Sequence, residues 1–398
     1  MRDWKIDVCR AVAVLLIVVL HAWGAASQYG VEGTVEWNIW KFVGVNSVVG
    51  MYSLFVVSGF LMFQGSGSKF QVSSFRFQVS SFRFQVLSFR FQVPSFRLQV
   101  WREKIWRRVK RLAVPYVCWN VVFVAFFLAV GRLFPRVGAR VAEYGLDTWS
   151  GALAKIGGFL TMPIDFPLWY MRTIFVFALA APVVGFALRS RVGRWIGLAV
   201  VAGYYLAVEE LKMLLNVQAY PAFAMLLWYA GGMVASAGPS GAFGGGYPTR
   251  GASGTVKAGL MEMFGSRWWM VVGLAGFALD GLESAGVANW LSFNSRMILK
   301  AALFLHLISK LSNLQTLKPS NSQTLKLSNL SFFVYCGHFL FCSVWAHLLG
   351  PKLAGMGTGC ESALMFAFIV PGLALTAAVY AAGRKFCPKV LRVFDGTM

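Results

Sequence analysis

The sequence predicts an all-α polytopic membrane protein with about ten transmembrane helices and cytosolic N- and C-termini. Three observations carry that prediction. The chain is 58% hydrophobic but 13% charged, about half the charged share of a soluble domain. Its apolar residues fall in long runs and do not alternate, which selects membrane helices over a barrel. Its basic residues segregate to one side of the apolar runs, as the positive-inside pattern requires.

The spans are predicted at 8–26, 43–63, 112–131, 167–188, 192–208, 218–236, 268–285, 292–309, 329–349 and 362–383. The first lacks a small-residue cleavage pattern and is expected to be retained. With the N-terminus inside, 26 of the 37 Lys and Arg residues lie on the cytosolic side, 11 of them in 64–111. The net charge of +22 is therefore read as topology and affinity for anionic headgroups, not as nucleic-acid binding. Six cysteines show no CxxC spacing, so neither a disulfide framework nor a metal site is expected.

A single membrane domain, 1–398, carries three distinctive cytosolic loops. Loop 64–105 holds FQVSSFR, FQVSSFR, FQVLSFR and FQVPSFR in tandem from residue 70 to 97. Phe, Val and Phe at positions 1, 3 and 6 make no helical stripe, and an odd period flips faces in a strand. Loop 237–267 is Gly-rich and reads as a flexible connection. Loop 310–328 carries SNLQTLKP and SNSQTLKL. Both repeats read as duplications tolerated in loops.

The first span, IDVCRAVAVLLIVVLHA, holds Arg10 and His21. Eleven residues at 100° each make three turns plus about 20°, so the two share a face, about 16 Å apart along the axis. Asp7, three residues before Arg10, is in position to pair with it. Titratable groups in hydrocarbon cost about 2.5–3.5 kcal/mol on insertion scales, which makes them functional pointers. Arg172 and Lys300, inside later spans, fall under the same rule. His338 is a secondary candidate. His347, nine residues on, faces away from it, which argues against a shared metal. Trp169 and Tyr170 fit either a sugar site or an interfacial aromatic belt.

The same stretch resembles the first span of the type 3 membrane acyltransferases, the family of bacterial sugar and polysaccharide O-acyltransferases. The family hallmark of Arg, ten residues, then His matches Arg10 and His21. Four further stretches agree in order. FVVSGFLMF resembles the Ser-Gly motif at Ser58 and Gly59. WRRVKRLAVPYVCW resembles the basic lead-in to the third span, with Arg108 and Arg111. PLWYMRTIFVFALAAP and SFFVYCGHFLF resemble a middle and a late span. The two repeat loops depart from the family pattern.

The resemblance implies a bacterial inner-membrane O-acyltransferase. It would move an acyl group, in the first place acetyl, from cytosolic acyl-CoA to a hydroxyl of a cell-envelope glycan or lipid-linked sugar. It implies His21 as base or acyl carrier, with Arg10 beside it. Arg108 and Arg111, with Arg107 and Lys110 nearby, have the charge and spacing for the phosphates of acetyl-CoA, a co-substrate that needs no metal. Two other readings of many spans with buried charge are a transporter exporting a glycan intermediate and an inactive relative.

Overall fold

The computed structural model describes residues 4–64, 102–134 apart from 104, 141–215 apart from 160, 222–237, 259–284, 293–311, 321–354 and 361–397. Every regular element among them is helical. The FQVSSFR repeats and most of the Gly-rich loop lie outside the described residues. In chain order the helices are α1 (Trp4–Ala26), α2 (Val35–Asn46), α3 (Val49–Phe63), α4 (Val114–Leu133), α5 (Trp149–Gly157), α6 (Trp169–Ala187), α7 (Arg191–Leu215) and α8 (Ala222–Ala237). They continue with α9 (Gly259–Phe264), α10 (Arg267–Ser284), α11 (Phe293–Leu311), α12 (Asn321–Ala354), α13 (Glu361–Phe386) and α14 (Pro388–Phe394).

Five stretches are long and apolar enough to cross a membrane: Trp4–Ala26, Val35–Phe63, Ile105–Leu133, Phe166–Ala187 and Glu361–Phe386. Helices such as α10 and α11 carry more charge, notably Asp280, Glu283, Arg296 and Lys300. These four groups form one network. Arg296 pairs with Asp280 at 2.8 Å and with Glu283. Lys300, 1% exposed, pairs with Asp280 and donates to Asn46 Oδ1 at 2.7 Å. The buried charges are thus matched in place, which is the condition for keeping them out of water. Lys300 belongs to this structural network.

Local chemistry sets several boundaries. Thr34 caps α2, its hydroxyl accepting the Trp37 N–H at 3.1 Å. Glu36 accepts the Ser362 N–H at 2.6 Å and so caps α13 from a neighbouring helix. Buried Glu361 accepts the Val31 N–H at 2.9 Å and ties the α1–α2 link to the same place. The predicted span 43–63 contains a break at Ser47–Val48, between α2 and α3. Val109–Ala113 is a wide π turn within the continuous helical stretch Ile105–Leu133, and Pro115 follows it at the start of α4. α12 begins at Asn321, so the second SNSQTLKL repeat continues into its first turns.

α1 packs against α2, α3, α11, α12 and α13 and forms the middle of the bundle. Its alignment with α12 is parallel. Arg10 meets Ser328, His21 meets His338 and Tyr29 meets Gly350. The residue numbers rise together on both helices, so both enter the bundle from the same end.

α3 and α8 approach backbone to backbone. A Cβ on Gly59 would lie 1.9 Å from the Trp228 carbonyl oxygen, and one on Gly231 would lie 2.0 Å from that of Val56. Small residues at such crossings allow close helix contact. Gly59→Ala is therefore expected to cost about 1–3 kcal/mol by overpacking, read as a lower apparent melting temperature in detergent. Gly24→Ala, whose added methyl meets nothing within 4 Å in α1, is expected to be neutral or stabilising by up to about 1 kcal/mol.

Candidate active site

A column of polar side chains runs along the inner face of α1, between α3, α6 and α12. At one end Arg10 Nη1 donates to Ser328 Oγ at 3.2 Å and pairs with Asp7 at 3.6 Å. Arg108 lies within electrostatic range of Arg10, Arg111 and the Tyr170 hydroxyl. Two guanidiniums, Arg10 and Arg108, thus lie together here with one buried carboxylate, Asp7, paired to Arg10. That excess suits an anionic ligand.

The middle of the column is hydroxylic. Tyr170 donates to the Leu54 carbonyl at 3.1 Å, which leaves the Ser58 hydroxyl to donate to Tyr170 Oη at 2.6 Å. Tyr335 packs edge-on against Tyr170, with ring centroids 5.8 Å apart, and donates to the Pro167 carbonyl.

At the other end His21 Nδ1 lies 3.0 Å from His338 Nε2. Hydrogen bonding assigns the tautomers. His338 Nδ1 is 2.9 Å from the carbonyls of both Val334 and Tyr335. Carbonyls only accept, so that nitrogen carries the proton and Nε2 is left as an acceptor. His21 Nδ1 then supplies the proton of the His–His bond, which leaves the lone pair on Nε2 of the neutral ring, and a hydrogen bond to the Ile17 backbone, one turn back on α1, also holds the His21 ring. Phe166 and Phe339 flank the His21 ring at centroid distances of 6.2 and 5.5 Å, both edge-on. The result is an unprotonated nitrogen on an oriented imidazole, the arrangement a general base or nucleophile needs.

The structure thus brings Arg10, His21, His338, Ser58, Asp7 and Arg108 into one column. Other candidates fall outside it. Arg107 is exposed and pairs with Glu103 at 3.8 Å. Arg111 is exposed, in electrostatic range of Arg108. Trp169 packs with Phe55 and Phe223, at 5.8 and 6.4 Å, in the aromatic core between α3, α6 and α8. Arg172 donates to the Thr161 carbonyl at 3.5 Å, holding the segment before α6. The side chain of His347 is outside the described residues. Among the described residues no three His, Cys, Asp or Glu side chains cluster as metal ligands.

Two members of the column were not singled out by the sequence. Ser328 opens the last, truncated repeat copy, and only the fold shows it meeting Arg10. Asp165 lies in a segment with no motif. Its neighbour Phe166 touches His21, and its next residue, Pro167, holds Tyr335.

No curated protein and no solved structure matches the chain. The family profile described as an acyltransferase domain does match it, over residues 3–382, a range that contains every residue of the column. Coverage of nearly the whole chain, together with apolar helices fit to cross a membrane, places this protein in the acyltransferase 3 family: it is an acyltransferase.

Proposed function

We propose that the protein is a ten-span enzyme of the bacterial inner membrane with both termini in the cytosol. On this reading it transfers an acyl group, in the first place acetyl, from cytosolic acyl-CoA to a hydroxyl of a cell-envelope glycan or lipid-linked sugar. The observation that carries the reading is the column itself, cationic at one end and imidazole at the other. An elongated thioester with phosphates at one end and its acyl carbonyl at the other matches that polarity. The shared entry end of α1 and α12, with the Arg108 group beside it, supports a cytosolic donor mouth.

Arg108, with Arg10, would hold the phosphates, and exposed Arg111 would reach them only from the mouth of the column. His21 Nε2 would take the proton of the acceptor hydroxyl as its oxygen attacks the thioester carbonyl. The C–S bond breaks, the ester C–O bond forms, and the imidazolium returns the proton to the CoA thiolate. If His21 instead carries the acyl group, the same nitrogen first displaces the thiolate and is then displaced by the hydroxyl oxygen. His338 is a positioning residue in either case.

The test is transfer of radiolabel from acetyl-CoA in native-host membranes containing the expressed protein. The expected result is label in envelope glycan, matched one-to-one by released CoA thiol. Absence of label with abundant, monodisperse protein overturns this reading. An exporter of a glycan intermediate would consume no thioester.

A further inference from the structure

Asp165 is a buried carboxyl group that the fold leaves without a side-chain partner. It is 0% exposed, and neither carboxylate oxygen has a hydrogen-bond partner. Its backbone, by contrast, is fixed. The Asp165 N–H donates to Asn120 Oδ1 at 3.3 Å, and its carbonyl accepts the Leu168 N–H at 2.9 Å. Asn120 is itself anchored, its amide donating to the Tyr116 carbonyl at 2.9 Å. Two neighbouring helices thus hold the aspartate in place, while its oxygens are left unmet.

An orphaned buried acceptor is uncommon and costs on the order of 1–3 kcal/mol, more when charged. Such a group persists where a ligand completes it. The location narrows the ligand. Asp165 precedes Phe166, which abuts His21, and lies within electrostatic range of Tyr335 and Cys336, on the helix that carries His338. It therefore belongs to the imidazole end of the column, away from the guanidiniums that suit phosphate. Burial with no compensating charge holds the Asp165 carboxyl well above the usual carboxylate range, so it keeps its proton and presents one O–H donor beside its acceptor oxygens. A neutral acid of this kind suits an uncharged partner that both donates and accepts, such as a hydroxyl.

We propose that Asp165 binds the acceptor, exchanging hydrogen bonds with hydroxyls of a polyhydroxylated substrate and fixing the reacting hydroxyl against His21 Nε2. The inference rests on the acyltransfer reading above and names the acceptor-side residue for it. The acid O–H donates to one hydroxyl while its carbonyl oxygen accepts from the next, so the site favours a vicinal diol over an isolated alcohol.

The experiment compares wild type with Asp165→Ala and Asp165→Glu at matched abundance. Two readouts are used: transfer of radiolabelled acetyl to envelope glycan in native-host membranes, and binding of non-hydrolysable dethia-acetyl-CoA to the detergent-purified enzyme. For Asp165→Ala the expected result is a fall in transfer of about 30-fold with donor affinity within twofold of wild type. Asp165→Glu is expected to recover part of the transfer, because it restores the acid group. Transfer within threefold of wild type in Asp165→Ala overturns the proposal. So does a parallel loss of transfer and donor binding in both variants, which would make Asp165 a structural group. Wild-type protein that binds dethia-acetyl-CoA but labels no glycan overturns the glycan-transfer reading and this proposal with it.

Discussion

His21→Ala is expected to lower acetyl transfer about 10³-fold, within the 10²–10⁴ range that a positioned proton-transfer group supplies. Donor binding should stay within twofold, because the phosphate-holding guanidiniums lie at the far end of the column. His338→Ala is expected to cost about 10²-fold. It removes the acceptor at 3.0 Å from His21 Nδ1 and leaves the Ile17 backbone as the ring's remaining hydrogen-bond partner, so the imidazole is held less tightly. The two losses should not add. Once the His21 ring is gone, His338 has nothing to orient, and the double variant should match His21→Ala. Additive losses would mean that His338 acts on its own, and full activity in His21→Ala would reject the site. The measurement is transfer of label at saturating acetyl-CoA, with each variant at matched abundance.

Much of this site was legible in the sequence because helical periodicity is local. Arg10 and His21 share a face by counting alone, and the structure turns both toward α12. Their partners were not legible. His338 lies 317 positions from His21, and only the parallel alignment of α1 with α12 brings the rings together. Counting also fails across Val109–Ala113. The wide π turn advances fewer degrees per residue than an α-helix, so a spacing of three no longer puts Arg108 and Arg111 in the places α-helical counting gives. Arg108 turns inward and Arg111 stays exposed. Asp165 carried no motif, because its meaning lies in what surrounds it and not in its spacing. The helical class was legible from run length and composition. The charge network of α10 and α11 was not, since the acids and bases that satisfy each other there are contributed by different helices.

Arg108→Ala is expected to raise the KM for acetyl-CoA about 10–100-fold with kcat within threefold. Hydrogen bonds to charged groups contribute about 1.5–3 kcal/mol, and a group that grips the donor equally in ground and transition states appears in KM alone. Arg107→Ala serves as the internal comparison. Its side chain is exposed and engaged with Glu103, where an ion pair is worth about 0–1 kcal/mol, so its KM should stay within twofold. Acetyl-dephospho-CoA, which lacks one phosphate, sharpens the assignment. If Arg108 holds that phosphate, wild type should discriminate between the two donors and Arg108→Ala should not. If discrimination survives, Arg108 holds a different phosphate, and Arg10 or Arg111 is left as its partner. Equal KM in the Arg107 and Arg108 variants would remove the donor role altogether. The cluster would then serve only to anchor the start of α4 against anionic headgroups, a role in which the inward turn of Arg108 toward Arg10 and Tyr170 would have no use.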